Sequence, residues 1–286
     1  MSDSLPVSRT DAPDVADVRP GEELDWPALE QYVRQHIDGL RGSMTVRQFP
    51  KGFANLTYLL TFGDDRLVLR RPPFGTLAPG AHDMAREHRT LSRLWKAFPP
   101  APRSFLHCDD LTIVGAEFFV MEYRSGVGIW DTIPASMAVH RDVGRRIGFA
   151  VIDALAGLHG VDPAACDLAE LGRPVGFVDR QLRGWQGRWD LVRGDAGAGP
   201  MDEAFESLQR STPGSSPPTL LHNDLKLDNC QFDPNEPDRV RSVFDWDQAT
   251  LGEPLIDLGI LLNYWPDASD SHDERSAAIP GLELIG

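Results

Sequence analysis

The chain changes character near Tyr123, and that change limits the folds open to it. Before it, short apolar stretches alternate with turn residues. Asp25-Trp26-Pro27 reads as a helix start, with Leu29, Val33 and Ile37 at helical spacing and Gly39 and Gly42 at its end. Met44 to Phe49 reads as a strand. Tyr58–Phe62 and Arg66–Arg70 flank Gly63-Asp64-Asp65, the pattern of a hairpin. A helical pattern runs from Ala81 to Phe98, and strand patterns cover Ser104–Cys108 and Glu117–Tyr123. Beyond Tyr123 the long patterns are helical: Arg141–His159, with Ile147, Val151, Leu155 and Leu158 on one face, and Val175–Arg193. A strand-rich first half and a helix-rich second half predict an α+β protein in two lobes, joined near Tyr123–Gly126. The expected parts are a polar, Pro-rich, disordered leader over 1–22, a first lobe over 23–123 and a helical second lobe over 124–286.

Charge narrows the partners. The formal net charge of −15 opposes nucleic acid and anionic membrane surfaces. No apolar run approaches the roughly 20 residues of a membrane-spanning helix, and the first residues have no apolar core of a secretory signal. Cys108, Cys166 and Cys230 have no metal-like spacing, and a reducing cytoplasm is the expected location.

The densest chemical signal is His222-Asn223-Asp224-Leu225-Lys226-Leu227-Asp228-Asn229, of the form H-x-D-x-x-x-x-N, followed by Phe244-Asp245-Trp246-Asp247. Phosphoryl transfer from ATP needs a carboxylate at the acceptor hydroxyl, oxygen ligands for Mg²⁺ and a cation against the phosphates. Asp224 suits the first role. Asn229 and Asp245 suit the second, and Lys226 suits a contact to the transferred phosphate. In the first half, strand alternation puts Val68 and Arg70 on one face. Glu87 shares a helix face with the apolar Met84, Leu91 and Trp95. A carboxylate on such a face needs a partner, and Arg70 is the natural one; a solvated Glu87 is the alternative.

These loops resemble the catalytic and metal loops of the aminoglycoside phosphotransferase family, which has a protein-kinase-like fold. Gly252-Glu253-Pro254 and Asp257-Leu258-Gly259 extend the likeness. Leu69-Arg70-Arg71-Pro72-Pro73, Met121-Glu122-Tyr123 and Leu171-Gly172-Arg173-Pro174 with Arg180-Gln181-Leu182 are most similar to the phosphotransferase domains related to those fused to acyl-CoA dehydrogenases. The resemblance covers roughly residues 25–282. It implies a small antiparallel-sheet N-lobe and a larger, mainly helical C-lobe, with ATP and Mg²⁺ as cofactors. It implies an adenine site with Val68 and Met121 as walls and the Glu122 and Tyr123 backbone as hydrogen-bonding hinge. It also implies a phosphate-covering turn at Lys51–Asn55, with Gly52 and Asn55, although a simple β-turn fits that stretch equally. His222 and Asp257 are expected to brace the catalytic loop. Asp247 is either a second metal-loop carboxylate or an exposed residue. Three departures stand out: Arg70 where kinases place Lys, a glycine-poor turn, and a chain that stops where relatives continue through further helices.

The acceptor site is expected near Val175–Arg193, where Arg180, Arg183, Arg188 and Arg193 interleave with Trp185 and Trp189. A basic, aromatic stretch favours a neutral or anionic hydroxylated small molecule, such as a hydroxyacyl thioester; an ordinary solvated face is the alternative. The sequence predicts an ATP-dependent small-molecule kinase, with a nucleotide-binding protein of little or no turnover as the other reading. Too few residues separate Asp245 from Gly252-Glu253-Pro254 for the peptide-docking segment of a protein kinase.

Overall fold

The computed structural model describes residues 14–50, 55–75, 82–130, 132–194, 199–212 and 217–265. The first half builds one five-stranded sheet. Its strands are β1 (Met44–Gln48), β2 (Leu56–Phe62), β3 (Asp65–Arg71), β4 (Ser104–Cys108) and β5 (Phe118–Glu122). They lie in the order β1-β2-β3-β5-β4, each antiparallel to its neighbour. The tight turn between β2 and β3 is the Gly63-containing hairpin, with Phe62 opposite Asp65.

Period-two alternation gives the sheet two faces with different jobs. Leu67 and Leu69 of β3 pack on helix α1 (Trp26–His36), where Leu29 and Val33 are fully buried. Asp25 caps that helix by accepting from the Ala28 N–H at 3.0 Å, and Pro27 sits in its first turn. The opposite face carries Val68 and Arg70 toward helix α2 (Met84–Leu94), with Met84, Leu91 and Leu94 buried in the same cluster as Val68. The α2 pattern read from Ala81 begins later, because Asp83 caps it by accepting from the Arg86 N–H at 2.8 Å. A short helix α3 (Leu111–Val114), capped by Asp110, joins β4 to β5.

The second half is mainly helical. It holds β6 (Val127–Gly128), α4 (Ala135–Ala138), α5 (Val143–His159), α6 (Phe177–Arg193), α7 (Pro200–Ser211), β7 (Thr219–Leu221), β8 (Cys230–Asp233), β9 (Glu236–Val243), β10 (Thr250–Gly252) and α8 (Leu255–Asn263). The chain is thus α+β with the kinase-like arrangement of a small antiparallel sheet and a larger helical lobe. α5 buries Ile147, Val151, Leu155 and Leu158 on one side and lies against β9. α6 buries only Phe177 and otherwise stands at the surface. Strands β6, β8 and β9 form one small sheet, and β7 with β10 form another. β7, β10 and the two-residue β6 are too short to show a period in the sequence.

One hydrophobic cluster runs through both halves, from Val68, Met84 and Phe119 to Val151, Leu225 and Trp246. Polar ties cross the same boundary. Arg86 Nη1 donates to the Ala249 carbonyl at 3.1 Å, Arg93 Nη1 to Asp167 O at 2.6 Å, and the Val243 N–H to Pro100 O at 2.9 Å. α2 is therefore held against the second lobe by its own side chains.

The expected leader needs a correction within residues 14–22. Ala16 bridges Gln48 of β1 through two backbone hydrogen bonds of 2.8 and 2.9 Å. Gln48 is 1% exposed, and its carboxamide is satisfied by the Arg19 N–H and by Glu22. The buried amide needs partners, and this segment supplies them. Residues 1–13 lie outside the described residues.

Candidate active site

The loop after β7 is fixed by one buried carboxylate. Asp257, at the start of α8 and 0% exposed, accepts from the His222 N–H at 2.9 Å and the Asn223 N–H at 2.6 Å. His159, at the end of α5, donates from Nε2 to the same carboxylate at 3.0 Å. His222 is also fully buried. Its Nε2 donates to Phe244 O at 2.9 Å, and its Nδ1 accepts from the Asp224 N–H at 3.3 Å. That pattern sets the neutral Nε2–H tautomer. The ring lies against Trp246 with centroids 4.6 Å apart. Asn223 sits in the left-handed region with φ 63°, as does Asp245 with φ 70°. Asn and Asp tolerate that region better than most residues, which suits two sharp loops at one site.

This bracing puts four predicted residues side by side. Lys226 Nζ stands 3.2 Å from Asp224 Oδ2 and lies over the Tyr264 ring at 5.2 Å. Asn229 Nδ2 donates to Asp224 O at 2.8 Å and reaches Asp224 Oδ2 at 3.3 Å. The Phe244 N–H donates to Asn229 O at 2.9 Å, so the loop bearing Asp245 is tied to the loop bearing Asp224. Burial, then the Asp245 charge, raises the Asp247 carboxyl above its usual range. Asp228 is raised mainly by burial, and its Oδ1 is a buried oxygen with no hydrogen-bond partner. Burial pulls the nearby Lys226 ammonium down, and the charges of Asp228 and Asp224 more than offset it, so its pKa is raised.

Arg70 joins the two lobes. Its Nε is 3.2 Å from Glu87 Oε2, and its Nη2 is ion-paired with Asp245 Oδ1. Glu87 is 1% exposed, and its Oε1 accepts from the Trp246 N–H at 3.3 Å. Burial pushes the Glu87 carboxyl up to about 8, against the pull of Arg70. One guanidinium thus serves Glu87 and Asp245, with Asp247 close enough to act on it. Asn55, 6% exposed, is a further partner of Arg70.

Such an excess of carboxylate oxygen suits a divalent cation. Among the described residues no three His, Cys, Asp or Glu side chains stand in metal-holding geometry. An Asn–Asp oxygen pair completed by substrate phosphates is a donor set that Mg²⁺ takes, and Asn229 and Asp245 fit it. Val68 and Met121 face each other across β3 and β5, 5% and 3% exposed. Glu122 ends β5; its N–H donates to Arg103 O at 2.8 Å, while its carboxylate accepts from the Arg103 N–H at 3.1 Å and is ion-paired with Arg124, Nε at 3.0 Å. Tyr123 follows, 8% exposed. Gly52 and the rest of Lys51–Ala54 lie outside the described residues.

A cleft of about 480 Å³ opens beside Asp224. Trp185 of α6 walls one side, and Leu255, Ile256, Ile260 and Tyr264 line another. Among the described lining residues, Asn223, Gln248 and Asn263 bring carboxamides, Trp185 and Tyr264 an indole N–H and a phenol, and Asp224 the one carboxylate. Arg180, predicted with this stretch, turns back to the Val175 and Arg173 carbonyls, and Arg193 pairs with Asp202 at 2.8 Å. Sequence reasoning missed Gln248, Asn263 and Tyr264, which carry no motif, and His159, whose helical spacing marked only a helix end.

The phosphotransferase enzyme family model matches residues 45–278. The rat acyl-CoA dehydrogenase family member 11 is 34% identical over 285 residues, which is 95% of this chain and 36% of the relative. The chain therefore spans about a third of the length of that curated relative. A Ralstonia eutropha crystal structure, assigned as an aminoglycoside phosphotransferase, superposes with a TM-score of 0.72 at 29% identity, covering 92% of this chain and 78% of that one. A ternary complex of APH(2")-IIa with streptomycin and ATP has a TM-score of 0.57 at 17% identity, covering 92% and 80%, and shares the fold. Among the described residues no helix is long and apolar enough to cross a membrane.

Proposed function

Since this chain belongs to the phosphotransferase enzyme family, we propose that it moves the γ-phosphate of ATP, with Mg²⁺, to a hydroxyl of a small molecule. Asp224 takes the proton of the acceptor hydroxyl as its oxygen forms the new bond to phosphorus, and ADP departs with the electrons of the broken P–O bond. Lys226, beside Asp224, offsets charge on the transferred group. Arg70 reaches the phosphates from the sheet, and Glu87 holds it there. The Glu122 and Tyr123 backbone meets the base between Val68 and Met121. Asn229 and Asp245 would hold Mg²⁺, which would supply charge neutralisation at the phosphates. The first lobe serves the nucleotide and the second the acceptor.

The observation that carries this reading is the position of Asp224. It touches Lys226 and Asn229 on one side and lines the cleft on the other. The cleft argues for the acceptor class. Its described walls are largely apolar and its described polar groups are mostly neutral, so among the described lining residues a polyamine finds one carboxylate. A neutral or anionic acceptor fits better, and the acyl-CoA dehydrogenase relatives support a hydroxyacyl thioester. A second reading, nucleotide binding with little or no turnover, draws on the Arg70–Asp245 ion pair, which engages an oxygen assigned to the metal. The test is transfer of label from γ-labelled ATP to hydroxyacyl thioesters, sugars and aminoglycosides. Asp224→Ala is expected to lower transfer by about 100-fold or more while leaving nucleotide affinity within about two-fold. Equal transfer by wild type and variant refutes Asp224 as base. Binding without transfer to any acceptor favours the second reading.

A further inference from the structure

His82 takes no part in the reaction described above, yet it is held in a costly conformation. Its φ of 59° lies in the left-handed region, one residue before the Asp83 cap of α2. Such a backbone is strained for most residues with a side chain, so its surroundings must hold it. Its Nδ1 stands 2.7 Å from the carboxamide of Asn55. Asn55 immediately precedes β2, whose Thr57 pairs with Arg70.

The Asn55 carboxamide has one orientation that serves both neighbours. Its Oδ1 accepts from Arg70 Nε at 3.2 Å and Nη2 at 2.7 Å, and its Nδ2 donates to His82 Nδ1 at 2.7 Å. The reverse orientation sets the NH₂ group against the guanidinium, donor facing donor. His82 therefore selects the useful orientation, provided its Nδ1 is the bare nitrogen of the Nε2–H tautomer.

We propose that Asn55 and His82 are a positioning couple for Arg70: His82 orients the Asn55 amide, and the Asn55 oxygen aims the guanidinium at the nucleotide phosphates. The inference rests on the assignment of Arg70 to those phosphates. Glu87 and Asp245 already supply two carboxylates to Arg70. A third carboxylate would add charge where the phosphates must enter; a neutral amide oxygen adds direction without charge. Asn55 reaches Nε and Nη2 from the residue before β2, while Glu87 reaches Nε from α2, so the guanidinium has partners on both elements.

Two substitutions separate the hydrogen bond from the backbone. His82→Gly relaxes the left-handed backbone and deletes the acceptor. His82→Asn tolerates the same backbone and returns an acceptor oxygen near the place of Nδ1. Calorimetric titration of the full chain with a non-hydrolysable ATP analogue, with and without Mg²⁺, reads the effect without turnover. His82→Gly is expected to bind about 5- to 10-fold more weakly, the size of one lost hydrogen bond, with its melting temperature near wild type. His82→Asn is expected within about two-fold of wild type. Asn55→Ala weakens binding at least as much as His82→Gly, and adding His82→Gly to it weakens binding no further, because His82 acts only through Asn55. Wild-type affinity in His82→Gly, equal losses in the Gly and Asn variants, or additive losses in the double variant would overturn the couple alone. No nucleotide binding by the wild type would overturn the Arg70 assignment and the couple together.

Discussion

The nucleotide side and the acceptor side of this site are built from different materials. On the nucleotide side, charged groups are buried and each is held by named partners: Arg70 by Glu87, Asp245 and Asn55, and the catalytic loop by Asp257. On the acceptor side, the walls are half-exposed apolar groups; Trp185 is 58% exposed and Leu255 50%. α2 is tied across the lobes by Arg86 and Arg93, whereas α6 buries only Phe177. A buried charge with a fixed partner tolerates few residue types, because losing the partner leaves an uncompensated group. An exposed apolar wall tolerates many. The chemistry of the step is therefore written in specific residues, and the choice of acceptor in shape.

This contrast can be broken or sharpened by substitution. The largest effect is expected at Asp257, whose carboxylate satisfies three donors while fully buried. Asp257→Ala leaves the His222 and Asn223 N–H groups and His159 without an acceptor. It should cost about 3 kcal/mol or more of stability, seen as a lower denaturant midpoint, and should reduce transfer with it. A wild-type midpoint would show that the loop holds its shape without the brace. Next comes Arg70→Ala, expected to weaken nucleotide binding by about 10- to 100-fold while the acceptor KM stays near wild type. A loss confined to the acceptor would reverse the two sides. The smallest effect is expected from Trp185→Ala: acceptor KM higher by about 3- to 10-fold, nucleotide affinity unchanged by titration. An equal loss on both sides would mean that α6 supports the nucleotide site as well.

The same contrast explains what could be read from the sequence. The Arg70–Glu87 pairing was legible because two regular periods, two on β3 and 3.6 on α2, put an Arg and a Glu on facing apolar surfaces, and the side chains meet at 3.2 Å. The catalytic and metal loops were legible because their spacing is short and their residue types are chemically restricted. Asp257 was readable as a brace by resemblance, but its His159 partner was not; the two are 98 residues apart and no local pattern links them. Gln248, Asn263 and Tyr264 reach the cleft only through the turn of α8 and the loop before it. His82 was illegible because its backbone conformation, the clue to its role, has no signature in the sequence. The segment 14–22 read as polar leader because its ties to β1 and β2 are scattered contacts with no period of their own: the Gln48 amide, the Arg47–Asp17 ion pair and the Tyr58 hydroxyl on Glu22 O.

The most direct test of the central claim is calorimetric titration of the full chain with a non-hydrolysable ATP analogue, with and without Mg²⁺, in wild type and Asp245→Ala. The account predicts nucleotide binding that Mg²⁺ strengthens in the wild type, and loss of that strengthening in the variant. Equal affinity in all four titrations, or no binding by well-folded wild-type protein, would contradict it.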